Sequence, residues 1–281
     1  MTCSLPYRCP LCRQLLLHTE RRYLCESNHS FDIAKQNYVN LLPVARKKSK
    51  APGDNAAMIA SRSRFLSAGY YEHLSQALAA TYTEIIEPGN KAFQMLDVGC
   101  GDGHYIACLR EDIASQKNIC AHGIDISKEA VRTAAKKATY EKLAVSSAFD
   151  LPYPDQSFDN LLSIFAPLDA NECARVTKTR GTLVTVNPGE AHLQEIAEAI
   201  YPARKKPSSL NPKLEQSQYW ALMKTSKITR AVTISQEHIS DLLAMTPFHY
   251  KLCDTTRKTF LSMKRLVLTA EFHINLLTRK P

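Results

Sequence analysis

Met95-Leu96-Asp97-Val98-Gly99-Cys100-Gly101-Asp102-Gly103 decides the architecture of this 281-residue chain. An apolar run ends on an acidic residue and passes into Gly-x-Gly-x-Gly, and a helical pattern opens at Tyr105. Glycine takes positive φ at little steric cost and lets backbone approach a ligand closely. The stretch therefore reads as a strand, a tight turn and a helix start. A dinucleotide-binding turn requires Gly-x-Gly-x-x-Gly, and here His104 stands where the third glycine of that pattern would fall. Asp125 closes the next apolar run, 22 residues beyond Gly103. A carboxylate at that point can accept hydrogen bonds from both hydroxyls of a ribose.

Working outward, short apolar runs over 93–98, 119–124, 143–146, 158–165 and 182–186 alternate with helical patterns over 105–114, 128–138 and 170–176. Such alternation predicts a parallel sheet covered on both faces. Helices are expected over 190–200 and 235–244, the latter N-capped by Ser235, with a closing strand over 266–276. Asp169 reads as a helix N-cap. Between residues 55 and 82 the apolar spacing predicts helices interrupted near Gly69. The Pro-, Lys- and Ser-rich stretch 201–217 reads as a loop.

The N-terminus carries Cys9, Cys12, Cys25 and His29, a C-x2-C-x12-C-x3-H spacing. Thiolates and imidazole at this spacing fit a tetrahedral zinc site, and four closed ligands make a structural site rather than a catalytic one. His18 falls between the half-sites, a poor position for closing a ribbon. Residues 1–43 are too few to bury a sufficient core, so the metal is expected to supply the missing stability. Its loss is expected to unfold this module and spare ligand binding by the later domain. Tyr23, Phe31 and Tyr38 are candidates for the module's small core or for stacking on a nucleic acid.

The chain carries a net charge of +9, with clusters at Arg46, Lys47, Lys48 and Lys50 and again at Arg204-Lys205-Lys206. Such runs supply salt-dependent attraction for a polyanion; a solvated linker and loop are the alternative. No run approaches the roughly 20 apolar residues that span a bilayer. The N-terminus lacks a secretory h-region. Of nine cysteines, Cys100, Cys108, Cys120, Cys173 and Cys253 stand singly and read as reduced thiols, so a cytoplasmic setting without membrane contact is expected.

The Asp97–Gly103 turn with Asp125 resembles the cofactor site of S-adenosylmethionine-dependent class I methyltransferases. Residues 147–153 resemble the loop that edges the adenine in those enzymes, and the segment Phe165-Ala166-Pro167 falls where they place the target base. A more specific resemblance covers nearly the whole chain. It rests on the cysteine–histidine ribbon, Phe31-Asp32-Ile33-Ala34-Lys35 and Tyr38-Val39-Asn40-Leu41-Leu42-Pro43. Pro52-Gly53-Asp54, Phe65-Leu66, Ala68-Gly69 with Tyr71, Pro188-Gly189, His192-Leu193 and Met245-Thr246-Pro247-Phe248 complete it. These blocks are similar to those of the bacterial 23S rRNA guanine-N1 methyltransferase family.

The resemblance implies an α/β, Rossmann-like class I methyltransferase domain behind an N-terminal zinc ribbon. Expected boundaries are 1–43 for the zinc module, 44–82 for a basic linker and helical connector, and 83–281 for the methyltransferase domain. It implies zinc on Cys9, Cys12, Cys25 and His29. Tyr71, Gly101, Asp102 and His192 match residues contacting S-adenosylmethionine, beside Asp97, Gly99, Gly103 and Asp125 from the turn itself. It also implies a homodimer that methylates guanine N1 in a hairpin loop of 23S rRNA; on such a substrate the basic run Arg46, Lys47, Lys48 and Lys50 is expected to contact phosphates. The residues assign no general base. Rival expectations are a methyltransferase for another RNA, a protein or a small molecule, with the ribbon as a docking module, or a non-catalytic binding protein. The intact glycine turn with Asp125 speaks against the last.

Overall fold

Four very short strands carry the N-terminal cysteines: β1 (Tyr7–Arg8), β2 (Leu15–His18), β3 (Arg22–Leu24) and β4 (Ser30–Asp32), antiparallel in that order. The structure is a computed structural model that describes residue 3 and residues 5–46, 52–87, 92–113, 118–200 and 208–281. Tyr7, Leu16 and Tyr23 point inward and are buried, but three side chains are no independent core. The core is completed from elsewhere. The Tyr7 ring lies 5.1 Å from Tyr23 and 5.1 Å from Tyr153, which packs edge-on at 4.8 Å against Phe158. The Lys142 ammonium sits over the Tyr7 and Tyr23 rings at 5.0 and 5.4 Å, and burial lowers its pKa to about 8. The Arg8 N–H donates to the Pro152 carbonyl at 2.9 Å. Beyond the ribbon, β5 (Val39–Asn40) leaves it and pairs parallel with Ala144 and Val145.

Helix α1 (Ala56–Ser67) starts at Asn55, whose side chain accepts from the Met58 N–H at 3.0 Å, and α2 (Glu72–Ile85) follows across Gly69 at φ +81°. Phe65, Leu66, Leu74, Leu78 and Tyr82 share one buried cluster with Met95 and Leu162. The connector helices therefore form one layer over the sheet.

The alternating part runs β6 (Phe93–Val98), α3 (His104–Ile113), β7 (Ile119–Asp125), α4 (Lys128–Lys136), β8 (Lys142–Val145), β9 (Phe158–Ile164), α5 (Ala170–Val176) and β10 (Thr177–Pro188). Short helices α6 (Gln194–Glu198) and α7 (Pro212–Glu215) lead to β11 (Trp220–Ser235), then α8 (Gln236–Met245), α9 (Asp254–Ser262) and β12 (Arg265–Arg279). The sheet has the order β11-β12-β10-β9-β6-β7-β8-β5. Pairing is parallel from β10 to β5, and β12 and β11 are antiparallel additions. Strand β7 is buried on both faces from Ile119 to Ile124, as helices on both sides of a parallel sheet require.

Several expectations change here. Only residues 194–198 of the helix expected over 190–200 form, because Leu193 takes φ +50° and delays its start. Strand β11 carries no apolar pattern in the sequence because, as an edge strand, it leaves Lys224, Thr225, Lys227, Thr229 and Arg230 exposed. Ser235 stands at the N-cap of α8 without a side-chain capping bond; its Oγ lies 3.0 Å from the Tyr70 hydroxyl. Asp169 does cap α5, accepting from the Asn171 and Glu172 N–H groups at 3.0 and 2.9 Å. Cys120 is not a single reduced thiol: it is bonded to Cys3, whose Cα lies 5.4 Å away. The residue pairing is non-local, 117 positions apart, and left no local signal.

A shared core predicts shared melting. Tyr7→Ala should destabilise the whole chain by about 3–5 kcal/mol, the range for large aromatic truncations, and lower the midpoint of one calorimetric transition. A separate early melt of the ribbon, with the main transition unmoved, would contradict the shared core.

Candidate functional site

A cavity of about 920 Å³ opens beyond the carboxyl ends of β6, β7, β9 and β10. The strand order reverses about β6, and ligands of open α/β sheets bind at such a switch point. The volume is that of a cofactor-sized site.

The glycine turn forms its floor. Gly99 has φ +78° and Gly101 φ +55°. A Cβ at Gly99 would lie 2.3 Å from the Ala166 Cβ, so the turn and the segment after β9 fit only without one. Gly103 lies away from the cavity: its Cα faces Tyr140, whose ring would be 2.9 Å from an added Cβ. Asp97, Gly99, Gly101, Asp102 and Asp125 all line the space.

The three carboxylates are held differently. Asp97, the penultimate residue of β6, is buried and accepts from the Tyr140 hydroxyl at 2.7 Å. Burial pushes its pKa up to about 7, against the lowering effect of that hydrogen bond. Asp102 accepts from Lys137 Nζ at 2.8 Å and Ser63 Oγ at 2.5 Å. Against the opposing effect of burial, Lys137 holds its carboxyl below the ordinary range. Asp125 accepts from the Gly101 N–H at 3.0 Å and the Ser127 N–H at 2.8 Å, and burial raises its pKa.

The connector supplies the opposite wall. Arg62 bridges Asp54 at 2.6 Å and donates to the Met245 carbonyl at 3.4 Å, and Ser127 Oγ donates to the Asp54 carbonyl at 2.6 Å. Arg62 and Ser63 carried no motif. Their spacing from Asp54 on a helix facing the turn is the only sequence signal that could have flagged them. Tyr71 is buried, and among the described residues its hydroxyl has no hydrogen-bond partner. His192 lies with its ring 5.9 Å from Tyr71 and 4.8 Å from Phe272, and its Nδ1 accepts from the Glu271 N–H at 3.3 Å. That bond places the proton on Nε2. Tyr71 and His192, 121 positions apart, thus meet on one wall.

Cys9, Cys12, Cys25 and His29 form a second constellation, with ligand atoms all within 4.8 Å of one another. Cys12 and Cys25 sulfurs are 3.5 Å apart, and His29 Nδ1 lies 3.4 Å from the Cys25 sulfur and 3.6 Å from that of Cys9. Metal–sulfur and metal–nitrogen bonds of about 2.3 and 2.0 Å in a tetrahedron require such separations. His18 is elsewhere, its ring 5.1 Å from Tyr23. Tyr23 and Tyr38 are buried and Phe31 half-buried, so these rings serve the core. Arg46 ends the short turn Val44–Arg46, whereas Lys47, Lys48, Lys50 and the Arg204-Lys205-Lys206 run lie outside the described residues. No described helix is long and apolar enough to cross a membrane.

The fold and this cavity define a class I methyltransferase domain. A family model described as "Methyltransferase domain" matches residues 90–232, and a zinc-ribbon model described as "RlmA, N-terminal" matches residues 7–50. The chain is 35% identical to a 23S rRNA (guanine(748)-N(1))-methyltransferase of Streptomyces fradiae, over 69% of this chain and 67% of that one. It is 34% identical to a putative 23S rRNA (guanine-N(1)-)-methyltransferase of Micromonospora griseorubida, over 72% of each. A Bacillus subtilis (strain 168) protein with the same putative name is 28% identical over 95% of each. The chain belongs to the 23S rRNA (guanine-N1)-methyltransferase family.

Asp97 yields a pH test. Its carboxyl binds a proton more tightly in the folded chain (about 7) than at its ordinary 3.8. Folded stability should therefore fall as pH rises from about 4 to 7. The loss is on the order of 4 kcal/mol at about 1.4 kcal/mol per unit. Asp97→Asn should remove that slope, so the difference between wild-type and variant denaturation midpoints should change between pH 4.5 and 7.5. A constant difference would contradict the raised value.

Proposed function

We propose that the chain transfers a methyl group from S-adenosylmethionine to N1 of a guanine in a hairpin loop of 23S rRNA. The observation that carries this reading is one cavity lined together by Asp125, the glycine turn, Tyr71 and His192, on a chain of this family. The residues fit the donor. Each Asp125 oxygen uses one acceptor site on a backbone N–H and keeps capacity for a ribose hydroxyl. Tyr71 and His192 line the wall that faces the turn. Asp97, Gly99, Gly101 and Asp102 complete the cradle, and Gly103 serves it by allowing the turn to pack against Tyr140.

Bound there, S-adenosylmethionine supplies an electrophilic methyl group on a sulfonium. In-line displacement asks the protein chiefly to position the nucleophile and to exclude water. Gly99 makes room for Ala166, which brings the segment after β9 against the turn and sets where a base can sit. The N1 proton must leave before or during attack.

Zinc on Cys9, Cys12, Cys25 and His29 is part of the proposal, and four protein ligands leave it a structural role. Arg46, Lys47, Lys48 and Lys50 join the ribbon to α1 and would meet phosphates of the hairpin. A ribosomal substrate places the enzyme in the cytoplasm, and the family resemblance supports a homodimer.

The deciding experiment is incubation with labelled S-adenosylmethionine and unmodified 23S rRNA, followed by primer extension. N1 methylation blocks the Watson–Crick edge, so extension should stop at one guanine in a hairpin loop. Label in the RNA without a stop would move the methyl to another atom, and no label in rRNA would overturn the substrate.

A further inference from the structure

We infer that Phe165 is the platform on which the target base stacks, a role that rests on the methyl-transfer reading above. Phe165 directly follows β9 and takes φ +54°. A bulky L-residue rarely adopts this conformation, and it persists only where the surroundings fix it. Here they do. The Phe165 N–H donates to the Val186 carbonyl at 3.1 Å. The next residue, Ala166, fills the space that Gly99 leaves by lacking a Cβ. The result is a large apolar ring turned toward the cavity mouth and left 45% exposed.

The ring is also held from behind. Phe272, fully buried, lies 5.6 Å from it, and the His192 ring runs near-parallel at 6.3 Å and 25°. His192 is in turn fixed by the Glu271 N–H. A rigid aromatic face presented to solvent at the rim of a cavity is how unstacked bases are received, because stacking needs a pre-oriented π-face.

Position along the sheet selects this ring over its neighbours. Asp125 ends β7, and the adjacent wall on the β8 side is Ser146–Phe149. A nucleoside with its ribose on Asp125 and its base against that wall would reach toward β9 and β10 with its other end. Phe165 stands at that reactive end. Phe149 is exposed at the rim on the β8 side, and Tyr250 donates its hydroxyl to Met58 Sδ at 3.5 Å on the connector wall. Neither has a left-handed backbone.

Two measurements test the role. In steady-state kinetics with the rRNA hairpin that wild type methylates, Phe165→Ala and Phe165→Leu should lose on the order of ten- to a hundredfold in kcat/KM for RNA. Affinity for S-adenosylmethionine should not change, and Phe165→Tyr, which keeps the aromatic face, should restore most of the loss. Separately, Phe165→Trp should be quenched by that hairpin and not by one abasic at the methylated position. Trp220, the chain's one native tryptophan, is buried and gives a steady background. If wild type transfers methyl but Phe165→Leu keeps full kcat/KM, or the new tryptophan responds equally to the abasic hairpin, the ring is only apolar lining and the inference is overturned. If wild type methylates no rRNA, the functional reading itself fails and the stacking role falls with it.

Discussion

The carboxylate of Asp125 ties together the parts on which everything else depends. One oxygen accepts from Gly101 in the turn after β6, the other from Ser127 at the start of α4. Ser127 then works in two directions, accepting from the Ala130 N–H at 3.2 Å and donating to the Asp54 carbonyl at 2.6 Å. A single acidic side chain at the end of β7 thus fixes the glycine turn, a helix start and the Pro52–Asp54 strap. Hydrogen bonds to a charged group contribute roughly 1.5–3 kcal/mol each, which offsets the burial that raises the Asp125 pKa.

The ribbon is joined to this arrangement rather than appended to it. Its Tyr7 completes an aromatic cluster with Tyr153 and Phe158, and Arg13 pairs with Asp150. Asp150 directly follows the wall segment Ser146–Phe149. Loss of the metal would therefore loosen the β8 side of the cavity as well as the knuckles. The sequence-based expectation that ligand binding by the later domain is spared treats the two as independent, whereas one buried cluster crosses between them.

What could be read in advance was whatever is local. Asp97 to Gly103, Asp125 and the four zinc-type ligands are each recognisable because the chemistry demands a residue type at a short spacing. Asp169 as a cap is of the same kind. The rest arises between distant segments. Tyr71 meets His192, Arg62 meets Met245, and Cys3 meets Cys120 only after the sheet has formed. Phe165 was legible as belonging to the target-base segment, but its left-handed backbone depends on Val186 and Gly99, neither of which is a neighbour in sequence. Strand β11 escaped because an exposed edge strand need not carry an apolar face on every turn of the pleat.

In the proposed function Asp125 both organises the turn and holds the ribose of the methyl donor. Calorimetric titration of S-adenosylmethionine into wild type and Asp125→Ala tests it most directly. Loss of charge-assisted bonds should weaken binding on the order of tenfold or more. Equal affinity in the two proteins would remove Asp125 from the site and contradict the account.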